Sequence, residues 1–179
     1  MADAEKLIMR ADRKMFMGVK SGSGSTETIY RMRGFTSLTE SKNPTEYTRK
    51  YVDELYETTD VTGINSSYDF TFDLMSPNEV LTDIADIIDS EKIGDDAVRT
   101  FYCVDFHKPV SDGGYECVKR DFSIIGETVG DGTDALTYSG TLKVASTKTI
   151  GVASISLPAS GGTSENVEQI TFTEGSATE

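Results

Sequence analysis

The residue types that most often carry catalysis are sparse in this chain. There is one histidine, His107, and general acid-base work near neutral pH usually recruits that side chain. It stands beside Lys108-Pro109 at the end of an apolar run, which suits a surface or turn histidine better than a catalytic one. Cys103 and Cys117 lack Cys-x-x-Cys spacing and supply half of a tetrahedral zinc site, so they read as small apolar side chains within strands. On a hairpin they would lie opposite or diagonal to each other, where oxidation could join them incidentally.

Carboxylates are plentiful, but an acid-base pair needs a defined separation in a cleft. Asp83, Asp86 and Asp89 instead recur along one side of an expected helix, as a solvated face does. Asp95-Asp96 and Gly130-Asp131-Gly132-Thr133-Asp134 hint at calcium without matching an EF-hand loop, and turn chemistry explains both. The Ser21-Gly22-Ser23-Gly24-Ser25 run has no Gly-Lys-Ser/Thr ending, and no Gly-x-Ser-x-Gly or His-Glu-x-x-His motif occurs. The expectation is a protein without catalytic residues, metal or cofactor.

The elements that would position any site are mostly strands. Tyr68, Phe70 and Phe72 alternate with Asp69, Thr71 and Asp73, and Leu136, Tyr138, Leu142 and Val144 share one parity across Gly140. Met15 to Val19, Tyr30 with Met32, and Ile170 with Phe172 follow the same style. Runs 99–107 and 115–125 flank a loop from Lys108 to Gly114, the clearest antiparallel hairpin. Turns are expected at Gly126, Gly130-Asp131-Gly132 and Gly161-Gly162.

One amphipathic helix, about 76–90, interrupts the strands. Ser76 is the expected cap, Pro77 the first helical residue and Glu79 the partner in a capping box, with Val80, Leu81, Ile84, Ile87 and Ile88 on the apolar side. From Asn43 to Tyr56 the reading divides. Tyr47, Tyr51 and Leu55 recur at helical spacing, whereas Tyr47, Thr48, Tyr51 and Val52 suit a strand whose alternating charges serve an edge that pairs with another chain. The fold class is mainly β, a sandwich or barrel of antiparallel strands with one flanking helix. Residues 13–173 form one domain with a flexible loop at 21–26, an N-terminal arm at 1–12 and a tail at 174–179.

At 179 residues the chain is long enough for one modest core, and 37% hydrophobic with 26% charged residues is ordinary for a globular protein. The net charge of −13 is uneven: residues 1–60 carry 10 Lys/Arg against 10 Asp/Glu, residues 61–179 carry 7 against 20. That balance opposes a nucleic-acid binder of the usual kind, though not a surface past which DNA slides. Apolar runs fall short of the roughly 20 residues that span a bilayer, and the start has no basic or apolar signal region, so a cytoplasmic chain with reduced thiols is expected.

The order of motifs resembles the major tail tube proteins of long-tailed bacteriophages of Gram-positive hosts. The likeness is carried by Tyr30-Arg31-Met32-Arg33-Gly34-Phe35, then Asn43 to Glu54, Thr59-Asp60-Val61-Thr62-Gly63, Tyr68 to Asp73, the acidic helix, Asp134 to Gly140, and Ile170-Thr171-Phe172-Thr173. It implies a structural virion protein of the tail, assembled in the host cytoplasm into six-membered rings that stack as the conduit for DNA ejection. It also implies tape measure, tail terminator and distal tail or baseplate proteins as partners, with no membrane. It tips 43–56 towards strand and makes Tyr47, Arg49, Lys50, Tyr51, Asp53 and Glu54 candidates for the subunit interface. A monomeric sandwich for binding or adhesion, and the inner tube of a contractile tail or injection machine, are the alternatives.

Overall fold

The computed structural model describes residues 7–20, 27–110, 113–130, 134–155 and 169–175. Its longest element organises the rest. Strand β8 (Tyr115–Val129) pairs along one edge with β7 (Val98–Pro109), while its other edge is shared, Tyr115 to Lys119 pairing with β10 (Thr149–Ile155) and Phe122 to Val129 with β9 (Thr137–Val144). A strand with two different neighbours along one edge must let the sheet split there. Two curved layers therefore diverge from β8.

One layer curls into a small barrel. From β7 the ladder passes to β1 (Arg13–Lys20), then β2 (Glu27–Arg31), whose Tyr30 bridges Gln169 just before β11 (Ile170–Glu174). Strand β11 pairs with β10, and β10 returns to β8. Inside lie Phe16, Tyr102, Val104, Cys117, Ala153 and Ile170, each at most 6% exposed. Closure leaves most of these backbone edges paired.

In the other layer β9 pairs with β6 (Ser67–Asp73), and β6 with β3 (Phe35–Ser41), all antiparallel. Alternation explains what each residue faces: Tyr68, Phe70 and Phe72 are buried, and the intervening Asp69 is exposed. Their rings meet Met15, Met17, Phe101 and Phe122 of the barrel layer and the apolar side of helix α1 (Glu79–Asp89), forming the larger core. Phe122 stands edge-on to both Tyr68 and Phe101, centroids 5.5 Å apart in each case. Val80, Leu81, Ile84 and Ile87 are at most 2% exposed, each contributing roughly 2 kcal/mol through burial.

Four expectations are corrected. The helix is capped by Asn78, not Ser76: the Asn78 Oδ1 accepts from the Leu81 amide at 3.2 Å, and its Nδ2 donates to the Arg33 carbonyl at 3.1 Å. A side chain buried between two backbone partners fixes the start better than a solvent-facing serine. Ser76 and Pro77, joined by a cis bond, precede the helix, and Glu79 becomes its first residue rather than completing a capping box.

Gly126 is not a turn. It lies within β8 opposite Gly140, beside a register shift, and a side chain there would strike Ile88 of the helix at 2.7 Å. Glycine here provides room for helix on sheet.

The third correction concerns the thiols. Cys103 pairs with Val118 and Cys117 with Val104, so the two cysteines are one register position apart and face opposite sides of the sheet. Cys103 packs against the larger core and Cys117 lies inside the barrel.

Asp83 is not a solvated acid either, while Asp89 is exposed as expected. Asp83 takes a two-point ion pair from Arg99, and Asp89 accepts from the Tyr138 hydroxyl at 2.8 Å. Asp86 matches the expectation, its carboxylate 56% exposed and bound by Lys92.

The 99–125 hairpin and the strands at 67–73, 137–144 and 170–174 fall where the alternation places them. The loop 21–26, the turn at Gly161-Gly162, the end of the tail and the start of the arm lie outside the described residues, as do Asp131 and Gly132. No helix among the described residues is long and apolar enough to cross a membrane.

Candidate assembly surfaces

Between β3 and β6 the chain leaves the body as a two-stranded hairpin, β4 (Pro44–Arg49) with β5 (Thr58–Ile64), separate from the main sheet. The divided reading of 43–56 resolves into both strand and loop: residues 44–49 are extended, and 50–57 connect to β5. The pairing partner lies beyond the window that showed helical spacing. Thr45, Thr48, Thr58, Thr59 and Thr62 are β-branched, and the Thr48 and Thr59 hydroxyls meet at 3.0 Å across the strands. At the root, the Asn43 side chain donates to the Asn65 carbonyl and the Ser67 hydroxyl, both at 3.1 Å, while the Asn65 amide donates back to the Asn43 carbonyl.

Every residue from 42 to 62 is exposed. Of the expected interface residues, Tyr47 and Arg49 lie on β4, while Lys50, Tyr51, Asp53 and Glu54 lie in the connecting loop. Three form a column: the Arg49 guanidinium donates to the Tyr47 hydroxyl at 2.9 Å and stands 5.6 Å from the Tyr51 ring centroid. The expected pairing edge takes in Val52, Leu55 and Tyr56 without naming them as contacts and stops short of Val61; these four are 108%, 81%, 79% and 62% exposed. With Tyr47 and Tyr51 they make six large apolar side chains among the 21 exposed residues 42–62. An isolated two-stranded hairpin is marginal in water, and a concentrated apolar surface marks a contact site.

A second surface is the outer face of β3–β6–β9–β8, turned from the larger core. Hydroxyls and carboxylates alternate across it in register. Thr39, Asp69, Thr141 and Ile125 form one row, and Ser37, Thr71, Ser139 and Thr128 the next. Short bonds pin the acids: Thr141 donates to Glu127 at 2.8 Å and Thr137 to Asp73 at 2.9 Å, while the Thr128 and Ser139 hydroxyls lie 2.6 Å apart. Asp69 and Asp73 share this face with Lys143, whose register position has the same parity, and Glu127 joins them through Thr141. The outer edge of β3 has no strand beside it among the described residues.

The residues first weighed for chemistry are not gathered into a site. His107 lies on β7, and its buried Nδ1 has no hydrogen-bond partner among the described residues. Burial pushes the Cys103 thiol up to about 11 and the Cys117 thiol to about 12, away from a reactive thiolate. Among the described residues no three His, Cys, Asp or Glu side chains converge as a metal site.

No protein-family model matches the chain, and no curated protein does. Solved structures do. The subunit in the tail of an empty GTA particle, refined with C6 symmetry, superposes with a TM-score of 0.56 at 11% identity, over 80% of this chain and 98% of that one. The SPP1 tail tube, determined by solid-state NMR and cryo-EM, superposes with a TM-score of 0.52 at 18% identity, over 80% and 78%. This is the tail-tube fold. Identities this low show the fold alone.

Proposed function

We propose that the chain is a structural tail tube subunit, six copies closing into a ring and rings stacking into a hollow tube through which DNA leaves. The observation that carries this reading is the hairpin at 44–64, which extends exposed apolar residues from a body with the tail-tube fold. Such a projection stabilises nothing in its own subunit and has a purpose when neighbours cover it. Tyr47, Arg49, Lys50, Tyr51, Asp53 and Glu54 act in that contact.

The open edge of β3 supplies a joint in which one subunit's sheet continues into the next. The hydroxyl and carboxylate face is the proposed lumen wall. Phosphate attraction comes from Lys and Arg, so a wall bearing Asp69, Asp73 and Glu127 repels a duplex, and its short, bonded side chains offer little for a base or sugar to grip. Residues 1–12 and 174–179 act as arms about the domain 13–173. In the virion the tube would meet tape measure, terminator and distal tail proteins, after assembly in the host cytoplasm.

Sedimentation of purified protein over a wide concentration range tests the proposal. A six-fold mass and longer stacks are expected, and a monomer at every concentration would contradict it.

A further inference from the structure

Where the two layers part, beyond the larger core, an open cleft of about 610 Å³ remains. Its floor is the apolar edge of that core, where Met15, Tyr68, Phe101 and Phe122 are each at most 9% exposed. Its rim is charged against the trend of the molecule: Arg13, Lys42, Lys108, Arg120 and Lys148 stand among three carboxylates, in a chain of net charge −13. Each carboxylate has a cation already, through the pairs Arg13–Asp105, Lys42–Glu40 and Lys108–Glu116. The rim therefore keeps two positive charges beyond those pairs, on Arg120, which donates to the Ser146 carbonyl at 2.9 Å, and on Lys148.

The hairpin tip has the complementary make-up. Tyr51, Val52, Leu55 and Tyr56 supply apolar surface beside Asp53, Glu54 and Glu57. It cannot fill the cleft of its own subunit. Lys42 and Ile64, at the hairpin root, line the cleft, and six paired residues rising about 3.3 Å each carry the tip roughly 20 Å away.

We propose that the tip, Tyr51 to Glu57, seats in this cleft on a second copy of the chain, its apolar side chains against Tyr68, Phe101 and Phe122 and its carboxylates against Arg120 and Lys148. The inference deepens the proposed self-assembly and rests on it. An apolar anchor entering a desolvated pocket, with charge pairs at the rim, is how compact contacts concentrate their affinity. Each subunit carries one tip and one cleft, so the contact is head-to-tail and propagates from copy to copy, as rings and tubes require.

The test mixes two variants, Val52→Cys on the tip and Thr147→Cys on the cleft rim, both carrying Cys103→Ser because Cys103 also lines the cleft, under assembly conditions with a short bis-maleimide. A covalent dimer abundant in the mixture and scarce with either variant alone is expected. A charge exchange accompanies it: Lys148→Glu should raise the concentration needed for assembly about tenfold, and adding Glu54→Lys should restore it. Tubes that form without the mixed dimer and ignore both charge changes would overturn the cleft assignment while leaving the tube subunit standing. A chain that neither assembles nor cross-links would overturn both.

Discussion

Arg99 of β7 grips Asp83 of the helix at two points, Nε to Oδ2 at 2.7 Å and the second amino group to Oδ1 at 3.0 Å, with the Arg99 side chain 7% exposed. The same guanidinium donates to the Asp96 and Val98 carbonyls, so it ties the helix to the strand and to the turn that follows the helix. Removing the carboxylate strands a buried cation. Asp83→Ala should cost on the order of 3 kcal/mol in chemical denaturation, and Asp86→Ala, on the exposed side of the helix, should leave the midpoint nearly unchanged. Equal effects would show that Asp83 is as dispensable as a surface acid.

The two thiols make a second prediction. Facing opposite sides of β7–β8, Cys103 and Cys117 should remain unjoined within a folded subunit under diamide, read as an unchanged mass in non-reducing mass spectrometry. A folded monomer with an intact 103–117 bond would contradict the register.

Alkaline pH should loosen the fold. Burial raises both thiols from an ordinary value of 9.0 to about 11 and about 12. In that interval the unfolded chain loses protons that the folded chain keeps, so stability is full below pH 9 and falls as pH rises, by about 1.4 kcal/mol per pH unit for each thiol. Burial also raises the Tyr68 and Tyr102 phenols, steepening the decline. Cys117→Ala should flatten the profile of urea midpoint against pH between 9 and 11, and an unchanged slope would show that this thiol ionises alike in both states.

Glycine substitutions separate close approach from conformation. A Cβ on Gly140 would fall 2.2 Å from the Ile125 carbonyl oxygen and 2.9 Å from the Phe70 ring, with backbone on one side that cannot step aside. Gly140→Ala should lose more than about 3 kcal/mol or fail to fold. Gly113, at φ +76° with open space around it, should lose about 1 kcal/mol as alanine. Thermal denaturation of both variants checks the order, and a reversal would contradict the β8–β9 register.

Much of this fold could be read from residues near one another in sequence. Tyr68, Phe70 and Phe72 announce a one-sided strand because alternation is local, and Lys108 to Gly114 announces a turn for the same reason. What escaped depends on distant partners. Asn78 outcompetes Ser76 as the cap because the Arg33 carbonyl waits for its amide, and Gly126 stays in a strand because Ile88 of the helix needs the space. The interface candidates Tyr47, Arg49 and Lys50 were legible as an alternating charged edge. Val52, Leu55 and Tyr56 fell within the same edge, but their part as exposed apolar anchors was not legible, since an apolar residue in sequence reads as core until its burial is known. The hydroxyl and acid face was equally hidden, as its rows run across four strands.

Charge on that face gives a further expectation. Tubes assembled from Asp69→Lys subunits should retain duplex DNA at low salt and release it as salt rises, while wild-type tubes bind none. Electrophoretic retention measured against sodium chloride distinguishes them, and identical behaviour would move Asp69 away from the lumen.

The central claim is that a folded subunit assembles through its projecting hairpin. Electron microscopy of the concentrated wild-type chain beside a variant with 45–62 replaced by a short Gly-Ser link tests it most directly. Because residues 42–62 are all exposed, the variant should keep the wild-type melting midpoint to within a few degrees. The account predicts hollow tubes of constant width with six-fold end views for the wild type and folded monomers for the variant. Wild-type monomers at every concentration, or tubes unchanged without the hairpin, would contradict it.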